Sequence, residues 1–282
     1  MENFVITAET TCDLSDEIIA ARGFKLIPIT VILGDKEYKD GKDITPFTLF
    51  DYIKQTGTMP KTAALTEFEY EEFFTELKKS YNKILHFCIS SKASSTYFNA
   101  VKAAERVNGV FVVDSKALST GEALLMLKAH DMISGGESVE NTYEKIVKLT
   151  EKVQTSFVLD RLDYLHKGGR CSSAALVGSK ILKIHPQICE NDGELTVKKK
   201  YMGALSRCLT QYIADLAAEC TAYDKTRAFI THSPCDGREL IDAVIEETKK
   251  NFEFEEIIET EAGATVSTHC GKNTIGLLFI KE

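Results

Sequence analysis

The stretch that most limits what this chain can fold into runs from residue 84 to residue 115. Ile84-Leu85-His86-Phe87-Cys88-Ile89 is an apolar run of strand length bounded by polar residues. A loop carrying Ser90, Ser91, Ser94, Ser95 and Thr96 follows it. Tyr97, Ala100, Val101 and Ala104 then fall at helical spacing, and Val110-Phe111-Val112-Val113 reads as a second buried strand. Two strands joined through a helix form a parallel pair, so the chain must build a parallel sheet. Such sheets bind ligands in the crevice beyond the carboxyl ends of their strands. The hydroxyl loop sits there, at a helix N-terminus, where free N–H groups and the helix dipole attract an anion. One hydroxyl suffices to cap a helix. The loop by itself admits both readings, an ordinary cap or a site for an anion or carbonyl.

Around this unit the pattern predicts an α/β protein of two domains, 1–155 and 156–282. The first is a parallel-sheet α/β/α domain that opens with the strand Phe4-Val5-Ile6, a polar loop from Glu9 to Asp13 and a helix from Leu14 to Ala21 ended by Gly23. Phe24 to Leu33 is apolar and β-rich, with Pro28 marking an edge or bulge. Residues 35–58 are turn-rich and read as a small insertion with a short helix at Phe47–Ile53. Thr66 and Glu69 form a capping box ahead of a Tyr70, Phe73, Phe74, Leu77, Tyr81 stripe, which is core. Thr62, just upstream, is expected near that second helix start, where it would face the same crevice. Helices follow over Leu118–Ile133 and after Ser138, the latter carrying Tyr143, Ile146, Val147 and Val153.

The second domain reads as α+β with a mixed or antiparallel sheet and helices on one face. Its strands are Ser156–Leu159, a pair about Asn191-Asp192-Gly193, Ala228–Thr231, Glu256–Glu259 and Thr274–Ile280, with Pro186 ending a short extended piece. Helices fall over Asp160–Lys167, Ala174–Leu182 (started by Ser172 or Ser173), Leu209–Cys220 and Glu239–Lys249. Arg170, after Gly168-Gly169, is either a surface residue or a guanidinium placed to meet an anion. His269, expected in a loop before the last strand, is either solvated or a donor to a carboxylate or phosphate.

Charge and cysteine usage remove several function classes. The net charge of −8 and the absence of a basic stripe argue against nucleic acid. No apolar run approaches the ~20 residues that span a bilayer. Met1 leads into an acidic residue and a strand without a signal-peptide pattern, so a cytoplasmic location is expected. The eight cysteines form no CxxC and no metal-ligand spacing with histidine, so they are expected reduced, with no metal and no cofactor. There is no P-loop and no GxSxG elbow.

Five segments together resemble the DegV family of bacterial fatty-acid-binding proteins across nearly the whole chain. Glu9-Thr10-Thr11-Cys12-Asp13-Leu14 resembles an Asp-Ser-Thr-x-Asp-Leu opening, with Glu9 in the Asp position. Ser94-Ser95-Thr96-Tyr97 resembles Ser-Gly-Thr-Tyr, and Asp114-Ser115 matches the Asp-Ser after the crossover. Leu162 to Arg170 is the most specific match, and His269-Cys270-Gly271 resembles a His-x-Gly before the final strand. The resemblance implies a fatty acid in a tunnel between the domains, its carboxylate presented to a separate kinase that makes the acyl phosphate. Carried over, the ligand-binding residues are Thr62, Ser94, Ser95, Thr96, Arg170 and His269, with none catalytic. Thr62-Ala63-Ala64-Leu65 keeps only the Thr of a Thr-Ser-Gln-Pro loop, and Ile184-His185-Pro186 replaces Ile-Lys-Pro.

The reading is therefore a lipid carrier, not an enzyme. A sixteen-carbon tail would contribute roughly 12 kcal/mol at about 0.8 kcal/mol per methylene before ordering costs, so the tail governs affinity. The polar loops fix which end is presented. The competing readings are a small-molecule phosphotransferase on the same loops, a serine hydrolase using Ser94 and His269, and an interaction module in which those loops are incidental.

Overall fold

The computed structural model describes residues 3–171 and 184–282. The helix expected over Ala174–Leu182, with its start at Ser172 or Ser173, lies outside them. The fold is α/β, with a parallel-sheet domain and a second domain on a mixed sheet. The parallel sheet takes β1 (Phe4–Glu9), β2 (Lys25–Ile27), β6 (Lys83–Cys88) and β7 (Val110–Asp114) in the order β2-β1-β6-β7. Helices cover both faces. On one, Val5, Ile84 and Val112 meet Tyr70 and Phe74 of α3 (Glu67–Lys78) and Ala100 and Ala103 of α4 (Thr96–Ala104). On the other, Ile6, Leu85 and Val113 meet α5 (Thr120–Ser134) and α6 (Val139–Leu149). The capping box is present, with Thr66 and Glu69 bonding reciprocally.

Phe24–Leu33 is not one strand. Pro28 lies between β2, which stays in the parallel sheet, and β3 (Thr30–Leu33), which leaves it. Proline has no N–H to give a ladder, so the chain changes sheets there. With β4 (Lys36–Lys39) and β5 (Lys61–Ala63), β3 makes a separate three-stranded antiparallel sheet in the order β4-β3-β5. α2 (Pro46–Thr56) covers it through Leu49 and Phe50.

The mixed sheet comprises β8 (Val153–Val158), β9 (Ile184–Asn191), β10 (Glu194–Met202), β11 (Tyr223–His232), β12 (Glu256–Glu261) and β13 (Ile275–Lys281), in the order β10-β9-β8-β13-β11-β12. Only β11 and β12 run parallel. Asp192 and Gly193, at φ of 47° and 84°, supply the positive angles of the tight β9–β10 turn. Val153 starts β8 rather than belonging to α6, and Pro186 lies inside β9, where its carbonyl accepts from Leu159 N–H.

The helices are not confined to one face of this sheet. α8 (Leu205–Glu219) and α9 (Arg238–Asn251) cover Ala228, Ile230, Leu277 and Phe279. The opposite face, through Phe229, Leu278 and Ile280, packs on α5. α5 is buried nearly all round, from Thr120 through Leu127, because each side of it meets a different sheet. No helix among the described residues is long and apolar enough to cross a membrane.

Candidate functional site

In the parallel sheet, the strand order reverses between β1 and β6, and the crevice belongs at their carboxyl ends. A cleft of about 620 Å³, its mouth included, opens there. Thr11 after β1 and Ile89, Ala93 and Ser94 after β6 form one wall. Thr62–Ala64 of the small sheet, Leu165, Arg170 and Leu195 form others, and a short helix, α10 (Ala264–Cys270), completes it. The lining is largely apolar, with a few polar groups set into it, as in small-molecule sites generally.

Thr62, Ser94, Arg170 and His269, remote in sequence, all line this one cleft. Thr62 Oγ1 and His269 Nε2 lie 2.9 Å apart. His269 Nδ1 is buried with no partner among the described residues. Gly168 backs the ring so closely that a Cβ there would stand 2.3 Å from Nδ1. Burial, and secondarily the Arg170 charge, push the His269 pKa down to about 4. The imidazole is thus neutral at pH 7, with one nitrogen a donor and the other an acceptor. Arg170 spans the mouth, donating to Ala93 O at 3.2 Å and Gly168 O at 2.7 Å. Ser94 Oγ accepts from Thr96 N–H at 3.3 Å. Thr265 Oγ1, one turn before His269 on the same face of α10, is a second buried polar atom with no partner among the described residues.

α10 is held from outside its own sequence. Asp40 accepts from Ala264 N–H at 2.8 Å and Thr265 N–H at 2.9 Å, and Asp13 accepts from Gly263 N–H at 2.8 Å. Carboxylates at a helix N-terminus satisfy its free donors and its dipole. Asp13, which also accepts from Ser119, is pushed up to about 8, chiefly by burial. Glu122, to which Thr11 donates at 3.4 Å, is raised well above the usual carboxylate range by burial and by the nearby Glu9 and Asp13. The Thr11 hydroxyl is thus committed to Glu122.

A family model described as "Uncharacterised protein, DegV family" matches residues 3–282. The chain belongs to the DegV family. A DegV domain-containing protein of Caldanaerobacter subterraneus subsp. tengcongensis is 29% identical over 283 residues, covering 99% of each chain. A Thermus thermophilus DegV family protein, described by its fatty acid binding, superposes with a TM-score of 0.91 at 23% identity, over 99% of this chain and 100% of that one. A DegV lipid-binding protein of Thermotoga maritima superposes with a TM-score of 0.87 at 24% identity, over 100% and 99%.

Within this DegV fold the predicted residues separate into two groups. Thr62, Ser94, Arg170 and His269 converge, whereas Ser95 and Thr96 stand outside the cleft lining. Ser95 is exposed, and Thr96 is buried at the start of α4. Thr62 lies on β5 rather than at a helix start, and His269 lies on α10 rather than in a loop. Thr265 was not among the predicted residues. Its spacing of four from His269 would have flagged it, had α10 been recognised as a helix. Of the other loop serines, Ser90 donates its hydroxyl to Gly193 O at 2.6 Å, and Ser91 donates its backbone N–H to Asp114 at 3.0 Å.

One buried trio among the described residues, Glu9, His86 and Cys88, brings metal-capable atoms together. The Glu9 carboxylate is already engaged by the Tyr70 hydroxyl and by Ile89 N–H at 3.0 Å. All eight cysteines are free thiols.

Proposed function

We propose that this DegV protein binds a fatty acid in the cleft, with the carboxylate at the Thr62, Ser94, Arg170 and His269 end and the alkyl chain along Ile29, Leu118, Leu165 and Val266. The observation that carries this reading is the pairing of an apolar cleft with a buried hydroxyl oxygen, Thr265 Oγ1, that has no partner among the described residues, beside the Thr62–His269 pair and a guanidinium at the mouth. Unpartnered buried polar atoms cost stability, and a ligand oxygen would relieve that cost. The binding descriptions of the Thermus and Thermotoga proteins support the ligand class. The family resemblance supports the next step, in which the bound acid is presented to a partner kinase that forms the acyl phosphate. The protein then acts as a carrier and does no chemistry itself. A Ser94–His269 hydrolase is disfavoured, because Nε2 faces Thr62 and Nδ1 faces Gly168.

Native mass spectrometry of protein purified from bacteria tests the first step, with a co-purifying fatty-acid mass expected. A chain that stays empty when offered long-chain acids contradicts it. For the second step, Arg170→Ala is expected to retain the lipid yet slow its phosphorylation by a fatty acid kinase about tenfold or more, the scale of a lost charged contact. Normal processing of that variant removes Arg170 from the role.

A further inference from the structure

The buried trio of Glu9, His86 and Cys88 stands where β1 and β6 end, just before Thr11 and Ile89 of the cleft wall, and the fatty-acid site does not use it. Strand geometry brings it together. His86 and Cys88 are two residues apart in β6 and share one face of the sheet. The parallel pairing of Thr7 with His86 and of Ala8 with Phe87 sets Glu9 on that face beside Cys88. One ligand-capable atom from each residue lies within 4.8 Å of the other two.

The donors are arranged for a cation. His86 Nδ1 lies 2.8 Å from Thr7 Oγ1, and an outer hydrogen bond at one ring nitrogen is how ligating histidines are oriented. The other nitrogen, Nε2, is buried with no hydrogen-bond partner among the described residues and lies 3.7 Å from Glu9 Oε1. Two ligands on a tetrahedral zinc stand roughly 3.4 Å apart, so a small shift of either side chain closes the set. Glu9 accepts from the Tyr70 hydroxyl and from Ile89 N–H, one bond on each oxygen, which leaves a lone pair on each. Among the described residues the ion-pair partner of Glu9 is His86 alone, and Glu122 is buried nearby, so the region lacks positive charge.

We infer that Glu9, His86 and Cys88 bind a zinc ion that ties the end of β1 to β6. Nitrogen, oxygen and sulfur donors in one set suit zinc among the common divalent ions. Binding breaks the Cys88 S–H bond and forms a Zn–S bond, and the proton leaves to water. One thiolate and one carboxylate balance the charge of the ion, so the filled site is neutral in the core. The Tyr70 hydroxyl, bonded to Glu9, is placed to be the fourth donor. All three side chains are fully buried, so the ion enters as the chain folds.

The test expresses the full chain in zinc-supplemented and, separately, cobalt-supplemented medium. Elemental analysis is expected to find about one zinc per chain, and X-ray absorption at the zinc edge one sulfur at about 2.3 Å with nitrogen and oxygen donors around it. The cobalt form is expected to show thiolate-to-cobalt charge-transfer absorption, lost in Cys88→Ser and kept in Cys12→Ser, whose thiol is equally buried. An unaltered chain free of zinc overturns the inference and leaves Glu9 and His86 as a simple ion pair. Bound zinc with no sulfur, or with more than one, overturns it too, whether or not the variants fold, and so does a cobalt band that survives in Cys88→Ser. None of these readouts depends on fatty-acid binding.

Discussion

The cleft and a smaller chamber behind it, walled by Phe157, His232, Ser233 and Leu278, share Leu118, Val266 and Cys270 as a partition, yet they differ in the polar atoms they leave without a partner. Among the described residues the cleft buries Thr265 Oγ1 and, against Gly168, His269 Nδ1 without a partner, whereas each chamber hydroxyl and both nitrogens of His232 have at least one partner in the protein. Composition alone would not separate them, since both carry threonines and a histidine. If a fatty acid binds as proposed, its head group should sit at the end where hydrogen-bonding capacity is left over. Histidine shows this best. His232 is held between Ser233 O and Glu259, whereas His269 is kept neutral by burial with one nitrogen unclaimed.

The sharpest way to break this contrast is Gly168→Ala. The backbone there, at φ of −72°, suits any residue, but the new Cβ would stand 2.3 Å from His269 Nδ1. The ring must move away from Thr62, at an expected cost of about 3 kcal/mol in chemical denaturation and of more than about tenfold in fatty-acid affinity. Unchanged affinity would mean that the placement of the His269 ring does not matter to the polar end.

Asp13→Asn acts on the partition, since Asp13 holds the start of α10 and bonds Ser119 of the chamber. An unfolded aspartate ionises near 3.8 and the folded one near 8. Between those values the folded chain holds a proton that the unfolded chain has released, so stability falls as pH rises. His269 works the other way. Its pKa drops from 6.5 to about 4 on folding, so its contribution is lost as pH falls through that window. Above pH 6.5 only the Asp13 effect remains of these two. From pH 6.5 to 8 it is worth about 2 kcal/mol at most. Asp13→Asn should flatten the decline there by that amount in urea melts at each pH, and an unaltered slope would contradict a protonated Asp13.

The smallest effect is expected at the cleft rim. Ser94 Oγ already accepts from Thr96 N–H, so Ser94→Ala should change fatty-acid affinity less than about threefold, within the ~0.7 kcal/mol of a part-exposed hydrogen bond. It should slow kinase-dependent acyl-phosphate formation more than that. Equal rates for variant and parent would confine the head-group role to the buried residues.

Much of the fold was readable where the cause is local. The β6–α4–β7 unit, the Thr66–Glu69 box and the Asp192-Gly193 turn are each specified by neighbours in sequence. The misreadings fall where the cause is remote. α10 is rich in Thr, Ser and Val, which are weak helix formers, and Gly263 at its start has no side chain to cap it. Its caps come from Asp40 and Asp13, more than 200 residues away in the chain. β3 pairs with β5 across the α2 segment, so the small sheet has no local signature beyond Pro28. The same distance hid Thr265 from view, while Thr62, Ser94, Arg170 and His269, each open to an ordinary reading as well as a functional one in its local sequence, were joined into one site only through the family resemblance.

α5 is apolar on nearly every side because one flank meets the parallel sheet and the other meets Phe229, Leu278 and Ile280 of the mixed sheet. A fragment cut near residue 155 would present that second flank bare to solvent, and the remainder would lose the surface that covers its sheet. The two halves should therefore melt together, and neither should persist as a well-behaved protein once severed from the other.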